Sequence, residues 1–189
     1  MTKLAVILTQ GFADWEYALV AGTGGPFFGF DVQFFAPHAG EVRSQGGLAA
    51  VVSNRLEEIA KFEPAVIVVV GGTIWETDEA PDIAELLKAQ HANGGAVAGI
   101  CGGTLALARA GLLNETAHTS NNAEFLTQNA KGYSGAEQYR DSAAAVSSDR
   151  IITAPGIAPV SFTAAIFENA GLNTEALQQF KSMLAAEHI

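Results

Sequence analysis

The sequence predicts an α/β fold, a flavodoxin-like doubly wound and mainly parallel sheet sandwiched between helices. Three observations carry that prediction. Short apolar runs recur at Leu4–Leu8, Val32–Phe35, Ala65–Val70, Ala96–Ile100 and Ile151–Thr153, with helical patterns between them. Three of the runs are continuous rather than alternating, as expected of parallel strands covered on both faces. The fourth run feeds straight into Ala98-Gly99-Ile100-Cys101-Gly102-Gly103-Thr104 and then a helix-forming stretch, Leu105 to Ala110. Strand, tight turn, exposed side chain, helix is the layout of a nucleophile elbow.

In chain order, Leu4–Leu8 is the first buried strand and Asp14 to about Gly22 the first helix. Thr23-Gly24-Gly25-Pro26 opposes a helix on propensity. Either the helix ends there or tertiary packing carries it through. Val32–Phe35 is the second strand. Residues 41–52, with Gly46-Gly47 in the middle, form a hairpin ornamenting the main sheet. Ala65–Val70 is the third parallel strand, and Thr77–His91 the helix after it. Ala96–Ile100 leads to the elbow, with Thr104–Ala110 as its helix. Ala143–Ser147 and Arg150–Thr153, around Ser148-Asp149, form a second hairpin. Ala158–Ala170 and Thr174–Glu187 close the chain as helices. No repeat, low-complexity tract or linker interrupts the 189 residues, which are expected to form one domain.

Hydrophobic residues make up 49% of the chain and charged ones 16%, which suits a large core and opposes disorder. The net charge is −10, with no Lys/Arg cluster, so a nucleic-acid partner is not expected. The acidity itself favours solubility. The single cysteine excludes an intrachain disulfide and suits a reducing compartment. Met1-Thr2-Lys3 runs directly into five apolar residues, too few for a leader or for a span of roughly 20. No membrane association is expected, and the expected location is the cytoplasm.

In doubly wound sheets ligands bind beyond the carboxyl ends of the strands. The residues just past each apolar run are therefore the place to look for chemistry. After the first come Gly11-Phe12-Ala13-Asp14-Trp15-Glu16; after the third, Gly71-Gly72-Thr73-Ile74-Trp75; after the fourth, Cys101; after the fifth, Pro155-Gly156. Cys101 at an elbow is a candidate nucleophile, its thiolate favoured by the helix beginning just beyond it. The other reading is a small apolar residue packed at a strand end. The Gly71-Gly72 turn, with the Gly102 amide, suits an oxyanion site; a plain strand-to-helix turn accounts for it equally. Neither phosphate-loop pattern occurs.

Asp14 suits a helix N-cap. Glu16 then falls in the first turn, either offsetting the helix dipole at the surface or reaching the thiol. A carboxyl buried beside a thiolate would stay protonated and donate to sulfur. Among the histidines, His188 and His91 suit structural or solvated positions and His38 follows Pro37 in a loop. His118, after the elbow helix and a turn at Gly111–Asn114, is the base candidate. No His/Cys/Asp spacing suggests a metal, and no cofactor is expected.

With these residues together, the chain resembles the ThiJ/PfpI superfamily, which takes in the parkinsonism-associated deglycase and the class I glutamine amidotransferase-like domains. The resemblance runs along essentially the whole chain. It is carried by residues 7–16, Val68-Val69-Val70-Gly71-Gly72, residues 98–108, and Ala154-Pro155-Gly156 leading to Pro159-Val160-Ser161-Phe162. It implies a flavodoxin-like sandwich, usually a homodimer. It implies Cys101 as reactive nucleophile, Glu16 as the protonated acid bonded to it, and Gly72 and Gly102 amides at the oxyanion, with His118 similar in placement to a histidine near the nucleophile.

Departures narrow the activity. The intracellular-protease branch has His directly after the cysteine, where this chain has Gly102. Amidotransferases carry a late His-x-Glu pair, where this chain has only Glu187-His188. The remaining branches of the superfamily imply cysteine hydrolase or lyase chemistry on a small electrophile. One form is glyoxalase III or deglycase chemistry on α-oxoaldehyde adducts. Another is isocyanide hydration with Asp14 as an extra proton carrier. A cysteine-based oxidative-stress sensor is the alternative, and a noncatalytic regulatory domain ranks behind both.

Overall fold

The computed structural model describes residues 1–186; Glu187 and His188 lie outside the described residues. The strands are β1 (Lys3–Ile7), β2 (Asp31–Ala36), β3 (Gly40–Arg43), β4 (Ala49–Val52), β5 (Asn54–Arg55), β6 (Val66–Val69), β7 (Ala96–Ile100), β8 (Val146–Ser148) and β9 (Ile151–Ala154). The helices are α1 (Asp14–Phe28), α2 (Ile59–Phe62), α3 (Ala84–Ala92), α4 (Thr104–Arg109), α5 (Ala123–Asn129), α6 (Pro159–Asn169) and α7 (Thr174–Ala185).

One seven-stranded sheet, ordered β5-β2-β1-β6-β7-β9-β8, is parallel except where β8 pairs antiparallel with β9. Alternate side chains leave a strand on opposite faces. Leu4 and Val6 therefore enter one core with Val66, Val68, Ala98, Phe162 and Phe167, while Ala5 and Ile7 enter the other with Ile67, Val97, Leu105 and Leu107. Burial on both faces is the reason the strands contain so few polar residues. Register decides where the chemistry falls. Ile7 pairs with Val69, Val69 with Gly99 and Ile100 with Ala154, so four carboxyl ends finish level. The chain order reverses between β1 and β6, the switch point of the sheet.

The helix begun at Asp14 does not stop at Thr23-Gly24-Gly25-Pro26. It runs to Phe28 and closes on Gly29, whose left-handed φ of 70° lets its N–H reach Gly25 O. Packing overrides propensity here. Gly24 is buried where an added methyl would sit 3.3 Å from Phe167 and Val32. The helix end is held by Phe28, whose ring lies 5.3 Å from Phe167 and 6.0 Å from Phe180.

Other boundaries differ from expectation. Instead of a helix from Thr77, a 3-10 turn spans Thr73–Glu76 and α3 begins only at Ala84. Pro81 disfavours helix in the residue before it, and Thr77 Oγ1 folds back, donating to Ile74 O and accepting from Glu79 N. The first hairpin, β3–β4, forms a separate two-stranded sheet rather than an edge of the main one. The second turns at Asp149-Arg150, both at positive φ, one residue later than expected. Helices α2 and α5 and strand β5 add to the expected elements; α5 is capped by Asn122, whose Oδ1 accepts from Phe125 N. Among the described residues no helix is long and apolar enough to cross a membrane.

Candidate active site

Cys101 stands at the end of β7 with φ 52°, a left-handed conformation that a side chain seldom adopts. A 3-10 turn, Cys101–Gly103, joins it to α4. The turn is tight enough to need glycine: a methyl on Gly102 would lie 2.7 Å from Gly72 O. Thr104 Oγ1 closes the elbow by donating to Cys101 O at 2.6 Å. Cys101 as a residue remains partly exposed.

Glu16 enters from the first turn of α1 and is fully buried. Its Oε2 accepts from Gly71 N at 2.7 Å. Its Oε1 has no hydrogen-bond partner among the described residues, and the carboxyl lies near enough to the Cys101 thiol for the two to interact. Gly71 must be glycine for this contact, because a methyl there would collide with Glu16 Oε2 and Cys101 Cβ. Burial raises the Glu16 carboxyl to about 7, against the opposing pull of the Gly71 amide. Burial first, and the Glu16 charge second, push the Cys101 thiol up to about 11. The Asn121 amide and the Gly102 N–H act the other way, favouring thiolate. The two groups titrate as a pair, each setting the proton affinity of the other.

Asn121 is the functional residue that sequence patterns do not single out. Its Oδ1 accepts from Gly156 N at 3.0 Å, which turns its Nδ2 toward Cys101 Sγ at 3.3 Å. The segment carrying it is pinned twice. Thr119 N donates to Thr153 Oγ1 on β9 at 2.8 Å, and Ser120 Oγ bonds Thr104 Oγ1 at 2.7 Å. Asn121 shares a polar stretch with His118, and that stretch is its one signal in the sequence. Gly156 packs on both reactive groups, so that a methyl on it would sit 3.1 Å from Cys101 Sγ and 3.3 Å from Glu16 Oε1.

Three expectations are corrected. His118 does not serve the sulfur. Its Nδ1 meets Thr116 O at 2.7 Å and its Nε2 meets Tyr133 Oη at 2.8 Å. A carbonyl only accepts, so Nδ1 carries the proton and the tyrosine donates to Nε2. Burial favours that neutral ring and lowers its pKa. Asp14 is not a cap: the capping position is Ala13, and Asp14 Oδ2 accepts from Gly46 N at 2.8 Å. The Ser44 hydroxyl and then the Gly46 amide lower its pKa, and it faces the β3–β4 hairpin rather than the thiol. Gly71 N is occupied by Glu16, which leaves Gly72 and Gly102 as the glycine amides beside the elbow.

Known proteins share this architecture. The solved structure of a DJ-1 superfamily protein, Atu0886 from Agrobacterium tumefaciens, superposes with a TM-score of 0.92 at 36% identity, covering 100% of both chains. A thiJ/pfpI family protein from Bacillus anthracis superposes with a TM-score of 0.82 at 28% identity, over 96% of this chain and 89% of the other. The Bacillus subtilis (strain 168) protein named uncharacterized protease YoaZ is 28% identical over 173 residues, 88% of this chain and 82% of its own length. The model of the DJ-1/PfpI family matches residues 2–169. With that match along almost the whole fold, the chain belongs to the DJ-1/PfpI family.

Proposed function

We propose that the protein is a cofactor-independent cysteine hydrolase or lyase acting on a small reactive electrophile, with Cys101 as nucleophile and Glu16 as its proton partner. The observation that carries this reading is the buried Glu16 carboxyl beside the thiol, with its Oε1 left without a partner among the described residues. For an α-oxoaldehyde, Glu16 takes the thiol proton as sulfur bonds to the aldehyde carbon. The carbonyl electron pair moves to oxygen, which is met by the Gly72 and Gly102 N–H groups and by Asn121 Nδ2. Glu16 returns the thiol proton to that oxygen, giving a hemithioacetal and a carboxylate again able to act as base. Glu16 then shuttles the C–H proton to the adjacent carbonyl carbon through an enediol, leaving a 2-hydroxy thioester. Water hydrolyses the thioester to a 2-hydroxy acid and frees the thiol.

Purified protein should convert methylglyoxal to lactate, and Cys101→Ser should abolish it. No conversion, or a serine variant as active as the parent, overturns this version. Isocyanide hydration uses the same nucleophile, and a substrate screen separates the two. Asp14 does not support that variant as a proton carrier, because its carboxylate is held by Gly46.

The protease name of relatives such as YoaZ has little support in this chain. Gly102 follows the cysteine, and both His118 nitrogens are engaged elsewhere. Oxidation of Cys101 draws on the same geometry, since a protonated Glu16 would donate to a sulfenate or sulfinate oxygen. Intact mass after mild peroxide tests it: added oxygens support sensing, and an unchanged mass refutes it. We place the protein in the cytoplasm, as a homodimer, on its single cysteine and its family.

A further inference from the structure

We propose that the site selects neutral electrophiles carrying a flat apolar substituent, which packs against the face of Trp15. This rests on the reading that Cys101 is the nucleophile and adds a substrate class to it.

Trp15 and Glu16 are consecutive in the first turn of α1 and so point about 100° apart. Glu16 goes under the sulfur, fully buried, while Trp15 stays 49% exposed at the rim. The indole Nε1 donates to Gly156 O at 2.9 Å. That bond consumes the ring's only polar group and fixes its orientation, so what it offers a ligand is carbon surface. The same Gly156 gives its N–H to Asn121 and lies against Cys101, so that a methyl on it would sit 3.1 Å from Sγ. One glycine therefore holds the tryptophan in a set relation to the reacting atom.

Beside it opens a recess of about 670 Å³ lined by Trp15, Asn121, Pro155, Gly156, Ile157 and Pro159. Its size is far more than an aldehyde and a methyl group require, and lies in the range of small-molecule sites. Ile157 is 81% exposed there, an apolar side chain with open surface to cover. Among the described residues the lining carries no charged side chain, and its polar one, Asn121, has its Oδ1 on Gly156 N and an Nδ2 hydrogen on the Cys101 sulfur. A charged substituent entering the recess would lose water and find no counter-charge. An aryl group would cover Trp15 and Ile157 at no such cost.

The single cysteine makes alkylation a direct probe that needs no turnover. Rates with iodoacetamide, N-phenyl iodoacetamide and iodoacetate would be followed by intact mass, each normalised to glutathione. The expected phenyl-to-parent ratio is about three to ten times that of glutathione, from the worth of an aromatic contact, with iodoacetate below parity. Trp15→Ala should return the phenyl ratio to the glutathione value, and Trp15→Phe should keep most of it. A ratio equal to glutathione's in the parent protein, or a preference untouched by Trp15→Ala, overturns the proposal. Phenylglyoxal against methylglyoxal turnover separates the two readings. An alkylation preference without turnover of either aldehyde leaves the subsite standing and removes the enzyme. Turnover without an aryl preference does the reverse.

Discussion

Glu16 is held by opposing forces: burial favours its neutral form and the Gly71 amide its charged one, and burial prevails. From an ordinary value of 4.5 the carboxyl rises to about 7. Between those values the folded state binds more protons than the unfolded, so stability falls as pH rises through that window. The contribution is whole below pH 4.5 and gone above about 7. Glu16→Gln carries no such proton. Its stability relative to the parent should therefore improve by on the order of 3 kcal/mol between pH 4.5 and 8, read from urea midpoints. A difference that stays flat with pH would refute the raised carboxyl. At the sulfur, Asn121→Ala removes a donor that favours thiolate, and iodoacetamide alkylation at pH 8 should slow by roughly tenfold. Asn121→Asp should slow it further by facing a carboxylate to the thiolate; unchanged rates in both would remove Asn121 from the site. His118 suits a base on sequence because histidine titrates near neutrality. Titration range does not decide placement, and two partners from residues 116 and 133 hold this ring away from the thiol.

At the scale of elements, α1 carries the most conflict between local preference and final structure. It contains three glycines and a proline yet remains helical for fifteen residues. The glycines are not equivalent. Nothing lies within 4 Å of a methyl placed on Gly22, so Gly22→Ala should stabilise by about 1 kcal/mol through helix propensity and a less flexible unfolded chain. At Gly24 the methyl alone already crowds Phe167 and Val32, and Gly24→Val should destabilise by about 1–3 kcal/mol. Equilibrium urea unfolding measures both, and equal effects at the two positions would contradict this packing. The parallel strands are legible because burial on two faces leaves continuous apolar runs. Helices α2 and α5, each less than two full turns or barely that, leave no such periodic trace. Thr77 and Pro81 show the converse, where a plausible helical stretch is broken by side-chain and ring constraints that periodicity ignores.

Across the whole molecule, strand register converts separate turns into a site. Level ends at Ile7, Val69, Ile100 and Ala154 bring α1, the Gly71-Gly72 turn, the elbow and Gly156 around one sulfur. Assembly belongs to this scale also. Sedimentation equilibrium at micromolar concentration should give twice the chain mass if the proposed homodimer is right, and a monomer would refute it. The sequence by itself determined the fold class, the parallel strands and the elbow at Cys101, because each follows from spacing within a few residues. Only the tertiary structure decided which polar groups meet that thiol. It turned Asp14 to the hairpin and His118 to Tyr133, and it delivered Asn121 and a buried Glu16 to the sulfur. The physical reason is that those contacts are closed by hydrogen bonds between distant segments, such as Thr119 N to Thr153 Oγ1 and Gly71 N to Glu16 Oε2. Such pairings depend on how the sheet aligns its strand ends, and no local pattern of residues encodes them.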